Sequence, residues 1–311
     1  MLPKKSPTVS VLMSVCNSDR YLAPAVESIL NQTFADFEFL IVDDGSTDSS
    51  LQVLTQYAAT DKRIRLTSHP LKGIPKTRNE MLTQATGDFI AVMDADDIAP
   101  PTRLASQVEF LQQHPEVVWL SGAFELIDEK GRFLTRITMP ESNSEIHSLL
   151  MDGHTSFIHP GAMMPRSSLI AVGGYNEAMV TSCDLDLWLR LSEIGDLANL
   201  SEVVVRYRLH TSSISSQKHA LQAQEVAAAF DRSWQRRGLQ RQFQVTGCGW
   251  RPTHDPASRH QFMLQYGWWA FYSYQRRMAM EYALRAIAIK PFQIEGWNLL
   301  MCAAIKPVED E

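Results

Sequence analysis

The sequence predicts an α/β fold, a mainly parallel sheet flanked by helices, with a helical region appended at the C-terminus. Three observations predict it. Short apolar runs rich in β-branched residues alternate with helix-period segments from Val9 to Gln113, the pattern of successive β-α-β units whose handedness makes neighbouring strands parallel. Two of those runs, FEFLIVDD and FIAVMDADD, terminate in carboxylates. From about Lys218 the strand pattern disappears and the chain becomes mostly helical.

Val9 to Val15 reads as the first strand. Asn17-Ser18-Asp19 then offers N-cap chemistry, and Leu22, Val26, Ile29, Leu30 and Phe34 recur at helical spacing. Phe39 to Val42 is the second strand. Asp43, Asp44 and the turn Gly45-Ser46-Thr47-Asp48 lead from it into a helix over Ser49 to Ala59. A strand at Ile64 to Thr67, a helix over Lys76 to Ala85, the strand running into Asp94 and a helix over Thr102 to Gln113 repeat the unit. Val117 to Ile127 is a strand closed by the turn Asp128-Glu129-Lys130-Gly131. Beyond Met139 the alternation breaks. A short helix near Ile146 to Met151, a strand at Gly161 to Met164, a Gly173-Gly174 turn, a helix over Asp184 to Ile194 and a strand at Val203 to Leu209 follow. Phe262 to Lys290 reads as a helical hairpin, in which AMEYALRAIAIKP resembles the second helix of a tetratricopeptide unit; so few copies do not make a solenoid.

With 311 residues and 45% hydrophobic content, the chain buries a substantial core. A net charge of −6 argues against a nucleic-acid partner held by a basic surface. Nucleotides stay open, because a metal can neutralise their phosphates. Cys16, Cys183, Cys248 and Cys302 lie far apart, with neither metal-ligand nor redox spacing, which points to a reducing compartment. The opening MLPKKSPTVSVLM reads as a first strand, not a signal peptide. No apolar run reaches the ~18 residues of a membrane span. The expected location is cytoplasmic, with peripheral contact at the inner face of the plasma membrane as an extension. Trp268, Trp269, Phe271, Tyr272 and Tyr274 read mainly as helix packing, and Arg276 and Arg277 beside them keep a membrane- or partner-facing surface in view.

The chemistry lies in the acids. Asp94, Asp96 and Asp97 close one buried strand, and like charges side by side cost free energy unless something positive neutralises them. A hard divalent cation, Mg²⁺ or Mn²⁺, does so and also binds phosphate oxygens. Asp43 and Asp44 close a second strand, so a shared cleft is the economical interpretation, with an acidic helix-capping turn as the plainer alternative. Neither GxxxxGK[ST] nor GxGxxG is present, so phosphate must be held by acids and metal instead of a glycine cradle.

The residues also carry a family resemblance. VSVLMSVCNSDRYLAPAVESILNQTFADFEFLIVDDGSTD resembles the opening of the family 2 glycosyltransferases. GIPKTRNEMLTQATGDFIAVMDADD is similar to their second block, with its DxD motif, GGYNEAMVTSCDLDLWLRL to the third and VVVRYRLHTSS to the fourth. The resemblance covers residues 9–216 in the right order and implies the GT-A fold, a Rossmann-like mixed sheet flanked by helices. It implies a catalytic domain over residues 1–217, with a nucleotide-sugar half (1–128) and an acceptor half (129–217), followed by a helical region over 218–311.

Carried over residue by residue, it implies that Asp44 contacts uracil or ribose with Asp43 beside it. Ser14, Cys16 and Asn17 would line the nucleotide, as would Asp94 and Ala95. Arg78 would help hold the nucleotide, Asp96 would ligate the metal or contact the ribose with Asp94 and Asp97 completing the acidic end, and His210 would serve the metal or the diphosphate. Asp184 matches the catalytic base. Two departures stand out: Cys16 replaces the usual base-stacking aromatic, and Cys183 replaces the usual Glu before the base. Each assigned residue also has a plainer reading, with Asp184 as a helix cap, His210 as a hydrogen-bonded strand end, and Arg78 paired with Glu80 or Asp88.

The expected activity is inverting transfer from a nucleotide-diphosphate sugar, UDP-linked by expectation, to a hydroxyl on a saccharide or lipid-linked saccharide. Surface polysaccharide or glycolipid assembly is the pathway the resemblance implies. Two rivals are a sugar nucleotidyltransferase, whose basic glycine-rich loop is missing, and a non-catalytic nucleotide-sugar-binding or scaffold protein, made thinkable by Cys16 and Cys183.

Overall fold

A computed structural model describes residues 6–154, 157–210, 219–240 and 255–305. Lys218, the expected boundary after residue 217, the end of the fourth sequence block and Cys248 lie outside the described residues.

The regular alternation is realised as β1 (Val9–Val15), α1 (Asp19–Leu30), β2 (Phe37–Asp44), α2 (Ser50–Thr60), β3 (Ile64–His69), α3 (Ile74–Gln84), β4 (Phe89–Val92) and α4 (Arg103–Gln113). Every residue of β2 is buried, as a central strand covered by helices on both faces requires. The strand order runs β3-β2-β1-β4, all parallel. Val15 stands opposite Asp43, Leu12 opposite Val92 and Asp44 opposite His69. Because β1 lies between β2 and β4, the chain winds outward from it in both directions. Such a switch point leaves a crevice at the strands' carboxyl ends, where open α/β sheets bind ligands.

After α4 come β5 (Val117–Ile127), β6 (Phe133–Ile137), α5 (Asn143–Met151), a 3-10 turn at His159–Gly161, β7 (Met163–Pro165), α6 (Arg166–Ala171), α7 (Cys183–Leu191) and β8 (Asp196–Arg208). β7 adds antiparallel to β4 through Ile90–Met164, and β5 antiparallel to β7 through Leu120–Met163. β8 pairs with β5. The sheet is therefore mixed, as expected. β8 begins well before Val203: Leu197, Ala198 and Leu200 are buried strand residues ahead of the exposed pair Ser201-Glu202. β6 and α6 are additions, too short for periodicity to reveal.

The last helices are α8 (His219–Arg236), α9 (Pro256–Tyr272), α10 (Arg276–Ile289) and α11 (Ile294–Ile305). Two compact units emerge. The first comprises Met1–Phe124, Thr138–Tyr207 and Gln222–Val245; the second comprises Glu125–Ile137, Arg208–Leu221 and Thr246–Glu311. In the second, α9 and α10 form the expected hairpin, and Gly267 lets α9 close on Leu299 and Tyr282. Arg132 pairs with Asp128 and with Glu281, each at 2.6 Å, which ties the β5–β6 turn to α10. Among the described residues no helix is long and apolar enough to cross a membrane.

Candidate active site

Since β1, β2 and β4 are parallel, their carboxyl ends meet on one edge of the sheet, which brings Cys16, Asp43, Asp44 and the Asp94–Asp97 turn to the same side. The two acids of β2 are not equivalent. Asp44 accepts from the backbone N–H of Lys72 at 2.6 Å and of Gly73 at 2.9 Å, so it holds the turn into α3. Gly73 adopts φ +94°, a conformation that suits glycine. Asp43 accepts from the Ser68 hydroxyl at 2.9 Å through Oδ2, while its buried Oδ1 has no hydrogen-bond partner. A buried oxygen left this way is costly unless a ligand donor completes it.

The turn after β1 is fastened to the turn after β2. Asn17, at φ 53°, accepts from Thr47 N–H at 2.7 Å through its amide oxygen. Its own N–H donates to the Ser46 hydroxyl at 3.0 Å. Cys16 is exposed at this turn, and the partial desolvation of its thiol, with Asp44, Asp43 and Asp48 nearby, raises its pKa. Ser14 is half-buried on β1.

Asp94, Asp96 and Asp97 bring one carboxylate oxygen each within 4.8 Å of one another. Ala95 between them is buried, and Asp97 is 1% exposed. Three hard oxygen donors in one turn fit Mg²⁺ or Mn²⁺. Two buried arginines border the group. Arg103, the first residue of α4, donates to the carbonyls of Val92 at 2.7 Å and Ala162 at 3.1 Å, which pins the end of β4 to the strand beside it. Burial pulls its pKa down to about 9, opposed by Asp97 and Asp94, so it stays cationic at neutral pH.

Arg78 is the second, and it is neither on the surface nor paired with Glu80 or Asp88. It donates to Asp94 Oδ1 at 2.9 Å and lies over the Tyr175 ring, 5.4 Å from the centroid. Burial lowers its pKa, but Asp94, with Tyr175, Cys183 and Asp184 behind it, outweighs that and holds it above its usual value. Arg78 therefore carries a fixed positive charge between the acidic turn and the start of α7.

Asp184 sits in the first turn of α7. Ser182 occupies the N-cap position, and Asp184 Oδ1 accepts from the N–H of Leu185 at 2.8 Å. The N-cap position thus belongs to Ser182, and Asp184 is the second residue of the helix. Burial raises the Asp184 pKa, with Asp94 adding to the rise and the Leu185 N–H and Arg78 opposing it. Cys183 beside it is buried, and that burial pushes its thiol up to about 12, so it adds no charge at neutral pH.

Beneath these groups lies a polar-aromatic support that sequence reasoning missed. Tyr175 OH and His159 Nε2 share a hydrogen bond of 3.2 Å, and His159 stacks on Trp119 with ring centroids 5.5 Å apart. Burial, with Arg78 second, holds the His159 pKa well below its usual value. Asn79 exchanges a pair of bonds with the Tyr175 backbone at 2.8 and 2.9 Å. The pair Arg78-Asn79 hints at this, since both side chains leave α3 toward one loop. His210, the other expected metal ligand, belongs to the second unit and is 9% exposed there.

The model of the family "Glycosyl transferase family 2" matches residues 10–173, more than half of the chain. The chain belongs to this family. EpsE of Bacillus subtilis is 37% identical over 209 residues, covering 65% of this glycosyltransferase and 73% of its own length. The O-antigen biosynthesis glycosyltransferase WbnJ of Escherichia coli is 32% identical over 224 residues, covering 71% and 86%. Among solved structures, the mannosyltransferase PcManGT from Pyrobaculum calidifontis, in complex with GDP-Man and Mn²⁺, superposes with a TM-score of 0.57 at 18% identity over 97% of this chain and 81% of that one. S. aureus TarS 1-349 in complex with UDP-GlcNAc gives 0.51 at 17% identity over 95% and 79%. These likenesses establish the GT-A fold. In this family 2 glycosyltransferase the acidic turns, Arg78 and the start of α7 all belong to the first compact unit.

Proposed function

We propose that this glycosyltransferase moves a sugar, with inversion, from a nucleotide-diphosphate donor to a hydroxyl of a saccharide or lipid-linked saccharide. The observation that carries the reading is Arg78, which joins the acidic turn at Asp94 to the helix start that bears Asp184. Diphosphate departure and hydroxyl attack need opposite charges at neighbouring points, and this arrangement supplies both.

Asp43 Oδ1 is the acceptor we assign to an N–H of the nucleobase, with Asp44 shaping the turn beside it. Asp94, Asp96 and Asp97 would hold Mg²⁺ or Mn²⁺, which when bound neutralises charge on the departing diphosphate. Asp184 takes the proton of the attacking hydroxyl late in the step, because an ordinary aspartate, with a pKa near ~3.9, is far less basic than an alkoxide. Its raised pKa narrows that gap. The helix N-terminus and Arg78 oppose that rise and favour the charged form. A UDP donor is favoured by the family resemblance, and the complexes of PcManGT and TarS keep GDP- and UDP-sugars both in the test. A role in surface polysaccharide assembly is supported by relatives named for O-antigen and amylovoran biosynthesis.

The test is calorimetry with UDP and with GDP, with and without Mn²⁺, followed by product analysis with the matching sugar nucleotides. Binding of one nucleotide should depend on the metal, and Asp96→Ala should weaken it about tenfold or more. Equal affinity in the presence of chelator overturns the metal assignment.

A further inference from the structure

α8 lies far from the acidic turns in sequence and carries none of the residues assigned above, yet it grips the helix of Asp184 on both sides. Glu225 accepts from the backbone N–H of Val180 at 2.7 Å, of Thr181 at 2.7 Å and of Ser182 at 3.0 Å, and from the Thr181 hydroxyl at 2.6 Å. Those residues lead directly into α7, and Ser182 is its N-cap, with no side-chain cap bond of its own. Arg232 donates to Asp186 Oδ1 at 3.1 Å, just past Asp184. Arg232 follows Glu225 at i+7, two helical turns on, so both project from one face of α8 about 10 Å apart. Ala229 and Phe230 between them are buried in the core of the same unit.

We propose that Glu225 is a positioning residue for the transfer reaction: by holding the backbone of Val180–Ser182 it fixes the direction in which the first turn of α7 presents Asp184. The proposal rests on the reading of Asp184 as the base. A carboxylate on three consecutive N–H groups leaves that backbone little freedom, because charge-assisted hydrogen bonds are the strong ones. Placement matters at this point, since an error of ~1 Å in a reacting group costs about 10²-fold in rate. The grip also explains why a helix whose N-cap side chain makes no cap bond keeps an ordered start.

The experiment is a cycle of Glu225→Ala and Asp184→Asn, singly and together, in the full chain. It is read by Mn²⁺-dependent hydrolysis of UDP- and GDP-sugars, with water replacing the acceptor. Glu225→Ala should lower kcat about 10- to 10²-fold with the donor KM within about twofold, and should add nothing in the Asp184→Asn background. Glu225→Gln, which keeps one acceptor oxygen, should recover part of the loss. A Glu225→Ala loss that is equally large with Asp184→Asn overturns the proposal, as does a change confined to KM. Near-normal hydrolysis by Asp184→Asn alone marks a different failure, that of the base assignment, and removes the proposal with it. Should the wild-type chain hydrolyse none of these sugars, hydrogen exchange decides. Glu225→Ala must then speed exchange of the amides from Val180 to Leu185 about tenfold with UDP–Mn²⁺ affinity unchanged, and unaltered exchange overturns the proposal.

Discussion

The strands β1 to β4 and the segment from α6 to α8 build one compact unit by different means. In the first region the acids assigned to the donor sit at the end of β2 or just past the end of β4, and parallel pairing brings Asp43, Asp44 and Asp94 to one edge. In the second region Asp184 is placed by groups remote in sequence: Arg78 across the site, and Glu225 and Arg232 on α8. Topology positions the acids we assign to the donor side, and long-range polar bonds position the residue we assign as the base. Loss of one polar contact should leave the acids at the strand ends of the first region in place, whereas in the second it should shift Asp184.

The largest expected effect lies on the base side. Asp184→Asn should lower turnover by roughly 10²–10⁴-fold, the range typical of a lost general base. Melting temperature and nucleotide affinity should be nearly unchanged, because Asn retains an oxygen for the Leu185 N–H. Steady-state kinetics with thermal denaturation check both, and near-normal turnover would show that the base side holds no base.

On the donor side, the two acids of β2 should separate. Asp43→Asn should weaken binding of a nucleoside diphosphate about tenfold, because the open Oδ1 loses its charge, while the melting temperature changes little. Asp44→Asn should do the reverse: one of its two backbone donors loses its acceptor, costing about 1–3 kcal/mol of stability. Calorimetry and denaturant unfolding rank the pair. An identical response from both variants would mean that the free oxygen on Asp43 does not mark a ligand contact.

This same division decided what the sequence could reveal. Val9–Val15 and Val117–Ile127 are strands with the bounds their apolar runs imply, because a strand buried on both faces is written into consecutive residues. The acidic turns were legible for the same reason, as carboxylates that interrupt an apolar run. Glu225 was not, since in AQEVAAAF it is one ordinary exposed-type residue of a helix. Nothing local signals that three amides more than forty residues upstream need an acceptor. Nothing in the sequence around Arg103 marks it as buried, since only the meeting of β4 with Ala162 creates the carbonyls it holds. The apolar run at Val203 to Leu209 shows only the second half of β8, because the exposed Ser201-Glu202 pair breaks the alternation. The GT-A fold came from four ordered blocks, a signal that periodicity alone could not provide.

Asn79 tests whether the two regions are mechanically joined. Its amide pairs with the backbone of Tyr175, and the same Nδ2 reaches Glu177 at 2.9 Å. Asn79→Ala should cost about 1–3 kcal/mol and lower the melting temperature by several degrees. Gly174→Ala should resemble it, since Gly174 has φ +70° and a Cβ there would meet Asn79 Oδ1 at 2.6 Å. Calorimetric unfolding of the two single variants and the double variant should show strong non-additivity. Additive losses would mean that the loop and α3 are held independently.

The smallest effect concerns acid. Burial pushes the Glu225 pKa up, but the Thr181 hydroxyl and the N–H groups of Val180, Thr181 and Ser182 outweigh it and hold the group below its usual 4.5. A carboxyl whose folded pKa is depressed contributes stability that is fully present above its unfolded pKa and is lost as pH falls through the lower folded value. Glu225→Gln should therefore be less stable than the wild-type chain by about 1 kcal/mol at neutral pH, a figure discounted for the solvent that reaches this half-buried group. Below pH 4.5 that gap should narrow, because the wild-type carboxyl then gains the proton whose absence distinguishes it from the amide. Urea unfolding of both chains between pH 7 and pH 3.5 measures the gap directly. A gap that stays constant would mean that the grip on Val180–Ser182 depends on shape and not on charge, and would move the base side closer to the donor side in how it is built.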